Sequence, residues 1–147
     1  MTDTLTLDFI RAQANMVADP CALSNGVAIG LQDMGLVKNV QLQPIAGDEG
    51  AGVNVLLEMR LTSPECMYAL YFERELRERL VGQRGIVALT FDWGSPFEWF
   101  PELMTPAARE ALATRRDQKI ALMRPVAKHT ASIPEACPSS NDLERAR

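Results

Sequence analysis

Ten residues constrain this chain more than any others. From Val53 to Thr62, the apolar side chains Val53, Val55, Leu57, Met59 and Leu61 alternate with Asn54, Leu56, Glu58, Arg60 and Thr62. A period of two puts alternate side chains on opposite faces, so the segment predicts a strand with one buried face. Directly after it, Ser63-Pro64-Glu65 supplies a helix cap, a proline at the first helical position and an acid in the first turn. The stripe Ala69, Phe72, Leu76 and Leu80 then carries a helix to about Val81, with Gly82 as its stop. A strand running straight into an amphipathic helix demands a layered mixture of sheet and helix.

The remaining segments fit around that pair. Leu5, Phe9, Ala12, Met16 and Val17 predict a first helix over Leu5 to Val17, ended by Asp19-Pro20. Cys21 to Gly35, punctuated by Gly26 and Gly30, reads as turns with one short helical turn. Leu36 to Leu42 reads as a strand, joined to the next by a flexible connection over Ala46 to Gly52. Ile86 to Trp93 gives a third strand, with Val87, Leu89, Phe91 and Trp93 on one face. Thr105-Pro106 repeats the cap-then-proline signature and opens a last helix to Met123. Residues 124–147 hold three prolines and no periodicity and read as a mostly disordered tail. The expectation is one α+β domain over residues 1–123, a small three-stranded sheet with helices on one face, in the order α-β-β-α-β-α.

Charge and composition exclude whole classes of function. The 147 residues include 15 Lys and Arg against 19 Asp and Glu, a net charge of -4. Nucleic-acid binding rests on a basic field that displaces counterions from phosphate, and this balance argues against it. The longest apolar run, Cys66 to Phe72, has seven residues, far short of the roughly 20 a membrane span needs. The acidic start, Met1 to Asp8, is not read as a secretory leader. Three cysteines, Cys21, Cys66 and Cys137, then suggest a reducing, cytoplasmic setting.

Cys66 is the residue with most chemistry. As third residue of a helix capped by Ser63 it lies among amides without intrahelical partners, and the dipole there favours a thiolate. The alternative is a small core residue beside the Phe72 and Leu76 stripe. Cys21, in the turn after Asp19-Pro20, is either loop filler or part of a site built on loops. Cys137 is either an exposed thiol without a role or one that the tail carries to a site. No Cys-x-x-Cys pair supports a closed zinc site or a thioredoxin-type dithiol. The lone histidine, His129, lies past the last helix, a poor place for a catalytic base. Gly47 to Gly52 lacks the Gly-Lys-Ser/Thr ending of a phosphate loop. Asp92, Glu98 and Glu102 are either an acid pair or solvated surface carboxylates. Trp93, Phe97, Trp99 and Phe100 crowd an aromatic loop. Some must cap the sheet, and the others form a partner-docking patch.

Four motifs in one order carry a resemblance. They are Asp19-Pro20, then Leu31-Gln-Asp33-Met-Gly35-Leu-Val37, then Leu61-Thr62-Ser-Pro64-Glu-Cys66, then Trp99-Phe-Pro101-Glu-Leu-Met104-Thr. Over roughly residues 5 to 115 the chain resembles the small iron–sulfur assembly domain of SufT-like and PaaD-like proteins. The resemblance implies an accessory factor, not an enzyme, that helps assemble or insert clusters into client proteins. Its partners would be a client metalloprotein or a cluster-assembly component. The Thr-x-Pro-x-Cys motif falls on Thr62, Pro64 and Cys66. The Asp-Pro-Glu turn falls on Asp19, Pro20 and Cys21, so a thiol replaces the acid. The aromatic loop from Asp92 to Phe97 is longer than the family's, and the cysteine-rich tail of PaaD-like proteins is reduced to Cys137.

Cys66 and Cys21 are thus the candidate metal ligands. Two thiolates cannot close a four-cysteine shell, so no tightly bound cofactor is expected. A cluster or iron ion would be held transiently, bridged by a homodimer, or completed by a client. Two other readings stand beside this one: a non-metal adaptor for a multicomponent oxygenase, and a redox protein cycling a Cys21–Cys66 disulfide.

Overall fold

The computed structural model describes residues 4–47 and 50–123. The tail, with His129 and Cys137, lies outside the described residues, as do Asp48 and Glu49. The elements are α1 (Leu7–Asn15), α2 (Pro20–Ser24), β1 (Val37–Gly47), β2 (Gly50–Met59), α3 (Ala69–Leu80), β3 (Ile86–Asp92) and α4 (Pro106–Leu122), with a 3-10 turn over Pro101–Leu103 before the last. The order is the expected one, with α2 as the extra single turn.

The alternating segment forms β2 at the centre of the sheet. It pairs antiparallel with β1 and parallel with β3, giving the order β1-β2-β3. A hairpin suffices for the antiparallel pair, whereas parallel neighbours need a crossover, which α3 provides. Val55, Leu57 and Met59 point inward and are fully buried, meeting Val40 from β1 and Leu89 from β3. Helices α1 and α3 cover that face with Ile10, Ala14, Phe72, Leu76 and Leu80. The opposite face is polar: Asn54 donates to Gln43 at 2.7 Å and to Thr90 at 3.1 Å, linking all three strands. Helix α4 reaches the core through Ala108 and Leu112 alone among its residues. No described helix is long and apolar enough to cross a membrane.

Three local expectations change. Both strands of the hairpin continue to Gly47 and Gly50, so the segment read as flexible is mostly ladder. In β3 the register shifts opposite Val53 and Asn54. That bulge turns Ile86 and Leu89 inward together and leaves Val87 54% exposed, although strict alternation grouped it with Leu89. Asp19-Pro20 does more than follow α1, which ends at Asn15. Asp19 is the N-cap of α2, with Pro20 as its first residue.

Two glycines allow close approaches that shape the region near the site. A Cβ on Gly30 would collide with the backbone oxygen of Asn15, where the chain after α2 returns against the end of α1. Gly35 has φ +73°, and its Cβ would lie 2.5 Å from the carbonyl oxygen of Leu103. These contacts bring the α2 segment and the 3-10 turn against the N-terminal end of β1.

Candidate functional site

The site is built from two segments at one end of the sheet, the first turn of α2, which holds Cys21 as a helical residue where the sequence suggested a turn, and the loop before α3. The first holds Asp19, only 1% exposed. Its carboxylate accepts the Ala22 N–H at 2.8 Å, and its own N–H donates to Ile29 at 2.8 Å. Burial pushes its pKa up, because desolvation disfavours the charge more than the Ala22 and Cys21 amides favour it. The next residue but one, Cys21, is an exposed free thiol. Its pKa is raised by desolvation first, then by the charges of Asp19 and Cys66.

The loop before α3 holds Cys66, and here the structure corrects the sequence. Helix α3 begins at Ala69, not after Ser63. Ser63 to Cys66 is instead a turn, closed by the Cys66 N–H donating to Ser63 O at 3.2 Å. The reason is burial. Phe72, Leu76 and Leu80 anchor the helix on the core, but Met67 is 90% exposed and no side chain from Leu61 to Leu70 is buried. An earlier start would gain no core contact. Cys66 is therefore a half-buried loop thiol, not a member of the first helical turn, and the dipole argument for a helix-N-terminal thiolate lapses.

The two segments converge. Cys21 and Cys66 line one open cavity of about 250 Å³ with Thr62, Glu65, Met67 and Tyr68. A second cavity of about 170 Å³ has Asp19, Cys21, Thr62, Met34 and Trp99 among its lining residues. Cys21 and Thr62 line both, so the structure gathers Asp19, Cys21, Thr62, Cys66 and Trp99 around adjoining hollows. Pro64 lies in the turn that presents Cys66. Both cysteines are free, and with Met67 they give the first cavity three sulfur atoms, soft donors suited to iron or copper(I). Among the described residues no three His, Cys, Asp or Glu side chains are grouped to hold a metal ion. One chain therefore offers an open, incomplete ligand set.

The aromatic loop divides. The Trp93 indole donates to Glu73 at 2.8 Å and stacks on Phe91 at 6.2 Å and 10°. The Trp99 indole donates to Met34 O at 2.7 Å. Phe97 and Phe100 are 73% and 55% exposed. Two rings are thus anchored and two are free. Lys38 pairs with Glu98 at 3.1 Å and holds that carboxyl below its usual range, as an ion-paired surface acid. Sequence reasoning missed Met67, Tyr68, Asn25 and Leu112 as lining residues. Met67 and Tyr68 follow the cysteine motif directly and could have been flagged. Asn25 reaches it as the C-cap of α2, four residues from Cys21, whereas Leu112 arrives only through tertiary contact.

No family model matches the chain, and no curated protein matches it. Solved structures do. The domain of unknown function DUF59 from Bacillus anthracis superposes with a TM-score of 0.51 at 23% identity, covering 72% of this chain and 90% of that one. A conserved hypothetical protein from Thermotoga maritima gives 0.47 at 23% identity, covering 75% and 96%. A Mycobacterium tuberculosis protein, described as associated with Fe–S complex assembly and repair, gives 0.41 at 27% identity, covering 82% and 85%. The architecture of this chain, a three-stranded mixed sheet with helices in the order α-β-β-α-β-α, is thus that of the Bacillus anthracis domain.

Proposed function

We propose that this chain is an accessory factor that helps an iron–sulfur cluster, or an iron centre, reach a client protein, with no turnover of its own. One observation carries the reading: Cys21 of α2 and Cys66 of the loop before α3, far apart in sequence, line the same open cavity. The order of the Asp-Pro, Thr-x-Pro-x-Cys and Trp-Phe-Pro motifs, which resembles that of SufT-like and PaaD-like assembly domains, supports it.

The cargo would be gripped by few ligands. Cluster iron is ordinarily held by four thiolates, and this site supplies two. A client cysteine or a second copy of the chain must complete the shell, which suits a donor that has to let go. Exposure keeps the Cys21 sulfur within reach of such a partner. Its raised pKa leaves it mostly protonated until a metal displaces the proton. Phe97 and Phe100, unburied beside the anchored Trp99, form the client-facing part of the aromatic loop.

Anaerobic titration of the full chain with ferrous iron and sulfide tests this. Wild type should develop thiolate-to-iron charge-transfer absorption that Cys66→Ser abolishes and Cys21→Ser weakens. Identical spectra for wild type and Cys66→Ser would remove Cys66 from the role. Pull-down from the native host with the same pair should then recover a metalloprotein or an assembly component in lower yield with the serine.

The shared cavity also favours a second reading, a reversible Cys21–Cys66 disulfide. Its formation releases two protons and two electrons, which an added peroxide would take up to become water. Mass spectrometry after mild peroxide treatment should find the cross-linked peptide pair if this reading holds; its absence disposes of it.

A further inference from the structure

One open cavity has neither Cys21 nor Cys66 in its lining. It has a volume of about 410 Å³ and sits where α4 meets the end of α2 and the 3-10 turn. Its apolar lining is Pro101, Met104, Leu112 and Ala113. Around these stand Arg109, Arg115, Arg116 and Lys119, every cation of α4. Neither acid of that helix lines this cavity. Glu110 lines a different hollow, on the side of Gly26 and Val27, and Asp117 is paired with Arg116 at 3.5 Å. Helix α4 is therefore sorted by charge, with a basic, partly apolar face on a chain whose net charge is -4.

Not all of these cations are engaged within the protein. Arg115 donates to Asn25 O at 3.2 Å and Lys119 to Asn25 Oδ1 at 3.1 Å. Arg109 makes no ion pair or side-chain hydrogen bond among the described residues, and Arg116 has only its exposed sequence neighbour Asp117. A stable fold has no need of four cations around an apolar hollow, since like charges on one helix face repel. Such an arrangement matches a ligand with carboxylates flanking an apolar side chain.

We propose that this cavity docks an acidic peptide segment of a partner protein, with an apolar side chain over Met104 and Leu112 and carboxylates on Arg109 and Arg116. A nucleic-acid strand fits less well, because no aromatic ring lines the cavity to stack a base. The cavity also adjoins the thiol site: Asn25 and Leu112 line both it and the hollow that holds Asp19 and Cys21. Asn25 further donates to Cys21 O at 3.1 Å, so one residue joins the basic face to the segment that bears the thiol. A peptide bound there would bring its protein alongside the cysteines. That last step rests on the assembly reading; the docking itself does not.

Fluorescence anisotropy on the full chain tests it with a fluorescein-labelled peptide of four glutamates around one leucine. Controls are the same peptide with glutamine for glutamate, and with serine for leucine. The acidic peptide should bind about tenfold or more tightly than the glutamine form, and added salt should weaken it. Loss of the leucine should also weaken it. Arg109→Glu with Arg116→Glu should abolish binding; both side chains are exposed, and circular dichroism verifies the helix. Arg109→Gln with Arg116→Gln should give an intermediate loss, and Glu110→Gln should leave binding unchanged. Equal affinity for the glutamate and glutamine peptides would overturn the proposal. So would a single-stranded oligonucleotide of equal charge competing as well as the unlabelled peptide. The iron and sulfide titration separates the two proposals: Cys66→Ser should bind peptide as wild type does, and the Arg109/Arg116 reversal should keep the wild-type iron spectrum.

Discussion

Helix α3 and the loop that leads into it are adjacent in sequence and governed by different physics. In the helix, Phe72, Leu76 and Leu80 have no exposed surface, and each is held by the sheet beneath. In the loop, residues 61–68 bury no side chain, yet they carry Thr62, Pro64 and Cys66 and line the thiol cavity. The helix residues are constrained by packing, so their replacement is costly whatever the protein does. The loop residues are free of that constraint, and their identity can be given over to chemistry.

Substitutions can break or sharpen this contrast. The largest effect belongs to Leu76→Ala, which should cost about 2–5 kcal/mol in urea unfolding. Leu70→Ala, 78% exposed on the same helix, should stay within about 0.5 kcal/mol. Similar losses at the two positions would erase the distinction between frame and rim. Gly35→Ala comes next, at about 1–3 kcal/mol, from its positive φ and its contact with Leu103. Trp99→Phe removes the 2.7 Å bond to Met34 O and should cost about 1 kcal/mol, leaving the exposed Phe97 free to be altered without loss.

Asp19 joins the two regimes, since it is buried like the helix residues and lines the site like the loop. Its folded pKa lies above the unfolded value near 3.8, so the folded chain binds this proton more tightly than the unfolded chain. The stability it contributes is complete below that value and is lost as pH rises through the raised one. Asp19→Asn keeps a capping oxygen and removes the titration. Chemical denaturation from acid to neutral pH should therefore show the variant gaining on wild type as pH rises. Parallel curves would mean that burial does not control this carboxyl. The smallest effect is expected at the thiols. Cys66→Ser and Cys21→Ser should each change stability by no more than about 0.5 kcal/mol while altering the iron spectrum. A loss at Cys66 comparable to that of Leu76→Ala would instead make it a packing residue.

Much of the frame is legible without coordinates. Alternation in Val53 to Met59 names the inward face of β2, because a strand repeats every two residues whatever its partners. Thr105-Pro106 marks the start of α4, and the structure shows Thr105 Oγ1 accepting from the Ala108 N–H at 3.3 Å. The same reading misplaces the start of α3. Ser63-Pro64-Glu65 satisfies the local rules for a helix start, but those rules are weak beside the absence of any fully buried side chain between Arg60 and Tyr71. Val87 misleads for a related reason: a bulge is fixed by the neighbouring strand, which a single segment does not reveal. In α4 the spacing of Arg115 and Lys119 puts them on one helical face, but that the face borders a hollow floored by Met104 depends on the 3-10 turn.

The sequence by itself determined the element order, the buried face of β2, the helix cap at Thr105, and which residues have chemistry to offer. Each follows from neighbours within about one or two turns of chain, where backbone geometry dictates who meets whom. Only the tertiary structure decided that Cys21 and Cys66 line one cavity, that Trp99 is tied down and Phe97 is not, and that the cations of α4 surround another. Those pairings join segments distant in the chain, and they form because α1, α3 and the sheet bury their apolar faces together, carrying the loops with them.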